Sequence, residues 1–124
     1  MTLKVGINGF GRIGRMILRS IIEQNRKDLE VVAINNRSNA ETSSFLLIND
    51  TVHGKLKSKI NHSEKAINID EKKINMIQEN EISKIDWKKY EVNIVLECTG
   101  KFNTKEKSSQ HINSGANKVI VSAP

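Results

Sequence analysis

Apolar and polar residues along this chain of 124 follow two rhythms, one of strands and one of helices. Leu3 to Asn8 is a short apolar run that leads into glycines, which predicts a buried strand. From Arg12 the spacing turns helical. Ile13, Met16, Ile17 and Ile21 recur on one face, and Leu18 and Ile22 widen it. Asn25 and Lys27 close that helix. Glu30 to Asn35, EVVAIN, is a second buried strand rich in β-branched residues. Strand, glycine turn, helix and strand make one βαβ unit, whose crossover is expected to be right-handed.

The middle of the chain is less regular. Asn39 to Asn49 predicts a helix with Phe45, Leu46 and Ile48 as its apolar contacts. Between Lys55 and Gln78 apolar and polar residues alternate in pieces: Leu56, Ser58 and Ile60, then Ala66 to Ile69, then Ile74 to Ile77. This predicts short antiparallel strands on a sheet edge, with a turn at Asp70 to Lys73. Asp86 to Tyr90 predicts a brief helical turn. Val92 to Cys98 and Lys118 to Ser122 are further buried strands. Between them Thr104 to Ser114 predicts a helix, with Thr104 as N-cap, Glu106 in the first turn and Gly115 as the stop. The expected fold is α/β: a doubly wound, mostly parallel sheet with a short antiparallel edge insertion, in one domain over residues 1–124.

Composition adds bounds. Hydrophobic residues are 37% and charged residues 27% of the chain, a globular mix rather than a disordered one. The formal net charge of +6 is spread over scattered lysines, so it reads as solubility rather than as a polyanion-binding block. No aromatic stacking array or reading helix accompanies it, so nucleic acid ranks last among partners. The single cysteine, Cys98, excludes a disulfide within the chain and predicts a reducing compartment, the cytoplasm. No apolar stretch approaches the roughly 20 residues of a membrane helix, and no cleavable signal pattern opens the sequence.

The chemistry concentrates in the first turn. Gly9, Gly11 and Gly14 are spaced G-x-G-x-x-G between a predicted strand and a predicted helix. That context makes the pattern specific for a dinucleotide pyrophosphate, as in Rossmann-type domains. Gly9 allows the tight turn, Gly11 lets the pyrophosphate approach the backbone, and Gly14 lets helix and strand pack closely. The helix N-terminus offers unpaired N–H groups and positive dipole, and Arg12 adds charge. Such sites place a carboxylate about 20 residues after the glycines, at the ribose hydroxyls. Here the strand runs out through Asn35, Asn36, Arg37 and Ser38, without one. Asn36 bonds a hydroxyl without repelling a 2′-phosphate, and Arg37 and Ser38 can bind that phosphate. The cofactor is therefore expected to be NAD or NADP, with NADP or dual use favoured.

Other chemistry-bearing residues read as structure. Cys98 has no evident base beside it and is expected to be a small core residue. His53, His62 and His111 lack metal-ligand spacing, and His62 and His111 are expected at the surface. Trp87 reads as a packing anchor and the Lys105 to Lys107 run as a solvated helix face. Thr99 and Gly100 stand at the carboxyl end of a strand, where open α/β sheets bind ligands, and Ser122 closes the next strand in the same way.

Four separated segments, GINGFGRIGR from Gly6, VVAIN from Val31, NDTVHGKL from Asn49 and the stretch from Glu97 to Pro124, together carry a resemblance over essentially the whole chain. The sequence resembles the N-terminal domain of the phosphorylating glyceraldehyde-3-phosphate dehydrogenase family, of which erythrose-4-phosphate dehydrogenase is a near relative. The resemblance implies a cofactor set of Asn8, Gly9, Phe10, Gly11, Arg12, Ile13 and Gly14 in the turn, then Asn36 and Arg37. It adds Thr99 and Gly100 at the adenosine, Phe102 flanking the adenine and Ser122 near the nicotinamide ribose. Arg12 and Ile13 match backbone contacts to the pyrophosphate. Asn36 stands where NAD-dependent members carry aspartate, and Asn80 where many carry arginine or lysine. The resemblance also implies that the nucleophilic cysteine, its histidine and the phosphate sites lie beyond Pro124. On that reading the chain holds cofactor and contains no catalytic residue and no metal site, and the full-length protein is a homotetramer. A stand-alone nucleotide-binding module is the competing reading.

Overall fold

β1 (Leu3–Asn8) lies near the middle of a seven-stranded sheet ordered β3-β4-β5-β2-β1-β6-β7. The computed structural model describes residues 2–24, 26–49, 59–70, 72–100 and 109–121. β2 (Leu29–Asn35) runs parallel to β1, and β6 (Ile94–Glu97) lies parallel on its other side. β7 (Lys118–Val121) continues parallel beyond β6. β5 (Lys72–Ile77) flanks β2, also parallel, with Ala33 opposite Asn75 and Asn35 opposite Ile77. β3 (Ile60–Ser63) and β4 (Ala66–Ile69) form an antiparallel hairpin on β5.

The expected α/β architecture is therefore present, with two corrections to the middle segment. β5 is not an edge strand of an antiparallel insertion. It belongs to the parallel sheet through β2 and pairs antiparallel only with β4. The turn expected over four residues is shorter, because Lys72 and Lys73 already lie in β5, and Asp70 adopts a positive φ of 54°.

Successive residues of each strand feed opposite faces of the sheet. Val5, Ile7 and Ile34 join one core, with Leu18 and Leu47 from the helices. Ala33 and Val95 join the other, with Ile85, Trp87, Val92 and Ala116. α1 (Arg12–Glu23) and α2 (Ala40–Ile48) serve the first face. The Asn39 side chain caps α2 by accepting the Thr42 N–H at 2.8 Å. On the second face a 3-10 turn over Trp87–Tyr90 occupies the predicted helical turn, capped by Asp86. A shorter one at Ile82–Lys84 had no clear sequence signal.

α1 is rotated relative to the face its sequence suggests. Ile13 and Met16 are 47% and 42% exposed, whereas Gly14 and Leu18 are buried and Ile21 and Ile22 pack on the core. The cause is Gly14. A Cβ there would lie 2.5 Å from the carbonyl oxygen of Gly9. That close approach turns the Gly14–Leu18 side of the helix inward and carries Ile13 and Met16 out.

α3 (Gln110–Asn113) is the described part of the helix expected from Thr104. It stops at Gly115, whose φ of 116° suits the residue after a helix. Thr104, Glu106, the Lys105 to Lys107 run, and the segment from Asp50 through Ser58 with His53 lie outside the described residues. Among the described residues no helix is long and apolar enough to cross a membrane.

Candidate cofactor site

The first strand-to-helix turn is closed by glycine geometry. Gly9 has φ 95°, and its N–H donates to the Asn35 carbonyl at 2.8 Å. A side chain at Gly9 would also meet Thr99, with Cγ2 only 2.7 Å from its Cβ. Gly11 is the N-cap of α1, and a Cβ there would meet nothing within 4 Å. The open space lies where the sequence places a pyrophosphate. α1 has no side-chain cap and no acidic residue in its first turn. Its leading N–H groups, at Arg12, Ile13 and Gly14, therefore have no capping side chain, the arrangement in which a helix N-terminus can receive an anion.

A cleft of about 270 Å3 opens at the carboxyl ends of β1, β2, β5 and β6. Of the sequence-predicted residues, Asn8, Gly9, Gly11, Asn36, Arg37 and Thr99 line it. Arg12 and Ile13 are exposed at the start of α1, and Gly14 is buried behind them. Phe10 is 1% exposed, so its ring belongs to the core and its backbone to the turn. Gly100 has φ 76° and open space at its Cβ position. Phe102 and Ser122 lie outside the described residues. Cys98, expected in the core, is half-buried, packs on the first core and also borders the cleft.

The rim beyond β2 is organised by side-chain amides. The Phe10 N–H donates to Asn36 Oδ1 at 3.2 Å. The Asn36 oxygen is thereby engaged by the turn, which leaves its NH2 group as the donor end. Arg37 is exposed, and its carbonyl accepts from Gln78 Nε2 at 3.0 Å. Glu79 and Asn80 complete the rim from the end of β5. Sequence reasoning missed Glu79. It is an exposed acidic residue two positions past β5 that lines the cleft on the side where β2 ends without a carboxylate.

Beneath the cleft lies a buried polar chain that sequence reasoning also missed. Asn35 brackets the Glu79 backbone, accepting its N–H at 2.8 Å and donating to its carbonyl at 2.9 Å. Asn35 Nδ2 also donates to Asn8 Oδ1 at 2.8 Å. Asn8 Nδ2 donates to Glu97 Oε1 at 2.6 Å. The other Glu97 oxygen accepts from the Thr99 N–H at 3.0 Å and the Thr99 hydroxyl at 2.6 Å. His111 closes the chain, with Nε2 at 2.7 Å from Glu97 Oε1 and Nδ1 accepting the Trp87 indole N–H at 3.0 Å. The indole can only donate, so the ring hydrogen of His111 sits on Nε2 and is given to Glu97.

His111 is thus not at the surface as expected but fully buried. His62 is exposed, and Trp87 is a fully buried anchor, as expected. Burial alone pushes the Glu97 carboxyl up. The bonds from His111, Thr99 and Asn8 outweigh it and hold the group below the ordinary 4.5. One signal was available in the sequence: Glu97 is a charged residue in an otherwise apolar strand, and such a residue requires partners. Among the described residues no group of three His, Cys, Asp or Glu could hold a metal ion.

A glycine turn running from a parallel strand into a helix, over a cleft at the strands' carboxyl ends, defines the α/β dinucleotide-binding class. The family model of the glyceraldehyde 3-phosphate dehydrogenase NAD binding domain matches residues 3–105, and the chain belongs to that family. Among its relatives, glyceraldehyde-3-phosphate dehydrogenase of Streptomyces coelicolor is 44% identical over 124 residues, which cover 100% of this chain and 37% of that protein. The Thermotoga maritima enzyme of the same name is 44% identical over 121 residues, 98% of this chain and 36% of the relative. Glyceraldehyde-3-phosphate dehydrogenase 2 of Bacillus subtilis is 41% identical over 124 residues, 100% of this chain and 36% of the relative. The chain thus spans little more than a third of the length of these relatives.

Proposed function

We propose that this chain is the cofactor-binding part of a phosphorylating glyceraldehyde-3-phosphate dehydrogenase. Residues 1–124 form its dinucleotide domain, and the residues that react with the aldehyde are not among them. The observation that carries this reading is the turn itself: Gly9 in a positive-φ conformation, Gly14 against the Gly9 carbonyl, and open space at Gly11 before the α1 N–H groups. In this reading the pyrophosphate sits over Gly11, Arg12 and Ile13, and Asn8, Phe10 and Gly14 shape the turn. The adenosine lies between Asn36, Arg37, Thr99 and Gly100, while Phe102 flanks the adenine and Ser122 the nicotinamide ribose. A nicotinamide held there would supply hydride-transfer chemistry. These residues bind and orient it, and hold no nucleophile for the substrate.

The specificity reading is NADP or dual use. It is supported by Asn36, whose NH2 end is left to donate, and by the exposed cation of Arg37 beside it in the cleft. A 2′-phosphate requires donors and positive charge there. One observation favours a second reading, strict NAD use: an acidic residue, Glu79, is among those that line the same cleft. Calorimetric titration with both cofactors decides. NADP binding at least as tight as NAD supports the first reading, and a large NAD preference overturns it in favour of the second.

The full-length protein is proposed to be a homotetramer that converts glyceraldehyde 3-phosphate and phosphate to 1,3-bisphosphoglycerate in the cytoplasm. Erythrose 4-phosphate is the alternative aldehyde, and a non-catalytic nucleotide-binding module the alternative role. Assay of the full reading frame with the two aldehydes separates all three.

A further inference from the structure

Among the described residues four donors converge on one buried side chain under the cleft. Glu97 Oε1 takes the Asn8 amide and the His111 ring, and Oε2 takes both the N–H and the hydroxyl of Thr99. A deprotonated carboxylate can accept two bonds at each oxygen, whereas a protonated one would turn its own hydrogen toward one of these donors. A glutamine of the same shape would turn an NH2 group toward two of these donors.

What Glu97 holds matters more than that it is held. Its two bonds to Thr99 fix that residue against the glycine turn, where Gly9 leaves room for Thr99 Cγ2 and N–H by having no Cβ. Through Asn8 the same carboxylate reaches Asn35, and through Asn35 the backbone of Glu79 on the far rim. One anion therefore ties together the glycine turn, the Thr99 segment and the Glu79 rim, the three walls of the cleft.

We propose that Glu97 is a positioning residue for dinucleotide binding: without lining the cleft, its carboxylate sets Thr99 and Asn8 in the arrangement that receives the cofactor. This rests on the cleft being the dinucleotide site. A purely structural Glu97 would lower stability when replaced and leave the affinity of the folded protein unchanged. A positioning Glu97 lowers affinity in the folded protein, and does so through Thr99.

The test is a double-mutant cycle in cofactor affinity, measured by calorimetry on the full chain at 10 °C, with circular dichroism reporting the folded fraction. NAD and NADP are each titrated. Glu97→Gln is expected to weaken binding of the preferred cofactor about tenfold, and Thr99→Val several-fold, with the double variant no weaker than Glu97→Gln alone. Thr99→Ser, which keeps the hydroxyl donor, should stay within about twofold of wild type. Ile67→Val, in the fully buried core position of β4, serves as the stability control. It weakens the fold without touching the chain of hydrogen bonds through Glu97, and its affinity should stay within about twofold. Should Glu97→Gln not fold, the contrast between Thr99→Val and Thr99→Ser still decides: equal affinities overturn the proposal. Unchanged affinity in folded Glu97→Gln, or losses that simply add in the double variant, overturn it too. Wild-type protein that binds neither NAD nor NADP overturns the site reading itself. Wild-type binding with an unaffected Glu97→Gln overturns only the positioning role.

Discussion

His111 Nε2 lies 2.7 Å from Glu97 Oε1, with both side chains fully shielded from solvent. The two are 14 residues apart in sequence and reach each other from α3 and β6. Removing one member of such a pair leaves the other buried and without that bond. His111→Ala should therefore lower the unfolding free energy by about 3 kcal/mol, well above a typical surface substitution. Urea denaturation of wild type and variant checks it. A loss under about 1 kcal/mol would mean that the pair contributes little.

Acid should act through Glu97. Its carboxyl titrates lower in the folded chain than the ordinary 4.5. Above that value both states are ionised, and the stabilisation is fully present. As pH falls below it the unfolded state takes up a proton first, and the contribution is gone once pH passes the lower folded value. The stability gap between wild type and Glu97→Gln should accordingly hold steady from neutrality to about pH 5 and then narrow. Urea midpoints collected from pH 3 to 7 read this directly, and a gap that widened on acidification would contradict it.

Two glycine substitutions should separate folding from binding. Gly14→Ala puts a methyl 2.5 Å from the Gly9 oxygen, which forces α1 away from β1. The expected loss is about 1–3 kcal/mol of stability, together with weaker cofactor binding. Gly11→Ala meets nothing within 4 Å, and its φ of −80° suits any residue. As alanine is a poorer N-cap than glycine, it should cost about 0.5–1 kcal/mol in stability while lowering affinity about tenfold or more through a methyl in the pyrophosphate space. Melting curves with and without NAD or NADP distinguish the two.

Asn36→Asp should move cofactor preference toward NAD. Either residue accepts the Phe10 N–H with its side-chain oxygen, so the turn is kept. The aspartate replaces a donor by a second acceptor and adds a negative charge beside a 2′-phosphate. The NADP-to-NAD affinity ratio should fall at least tenfold, about 1.4 kcal/mol. An unchanged ratio in paired titrations would place the 2′ position away from Asn36.

The strands and the glycine turn were readable because their signals are local. Leu3 to Asn8 is apolar and leads into glycines, and Gly9, Gly11 and Gly14 stand at set intervals. Features that depend on where distant segments land were not. Periodicity placed Ile13 and Met16 on the inner face of α1, yet its rotation follows from the contact of Gly14 with Gly9. The alternation from Lys55 to Gln78 revealed strands but not that β5 pairs with β2. His111 read as a surface residue because nothing near it in sequence is its partner. Its partners, Glu97 and Trp87, come from other elements. Glu97 was the one legible hint, a charge in an apolar strand, and its meaning needed Asn8 and Thr99 in space.

The hairpin on β5 also decides how the sheet meets its surroundings. Among the described residues the outermost strand on that side is β3, four residues long, with Asn61, His62 and Ser63 exposed. A strand so short and polar is a poor template for a foreign strand to extend. The hairpin thus shields the parallel strands behind it from recruitment into intermolecular sheets, a protection against aggregation that a sheet ending at β5, with Ile74 and Met76 in its edge, would lack.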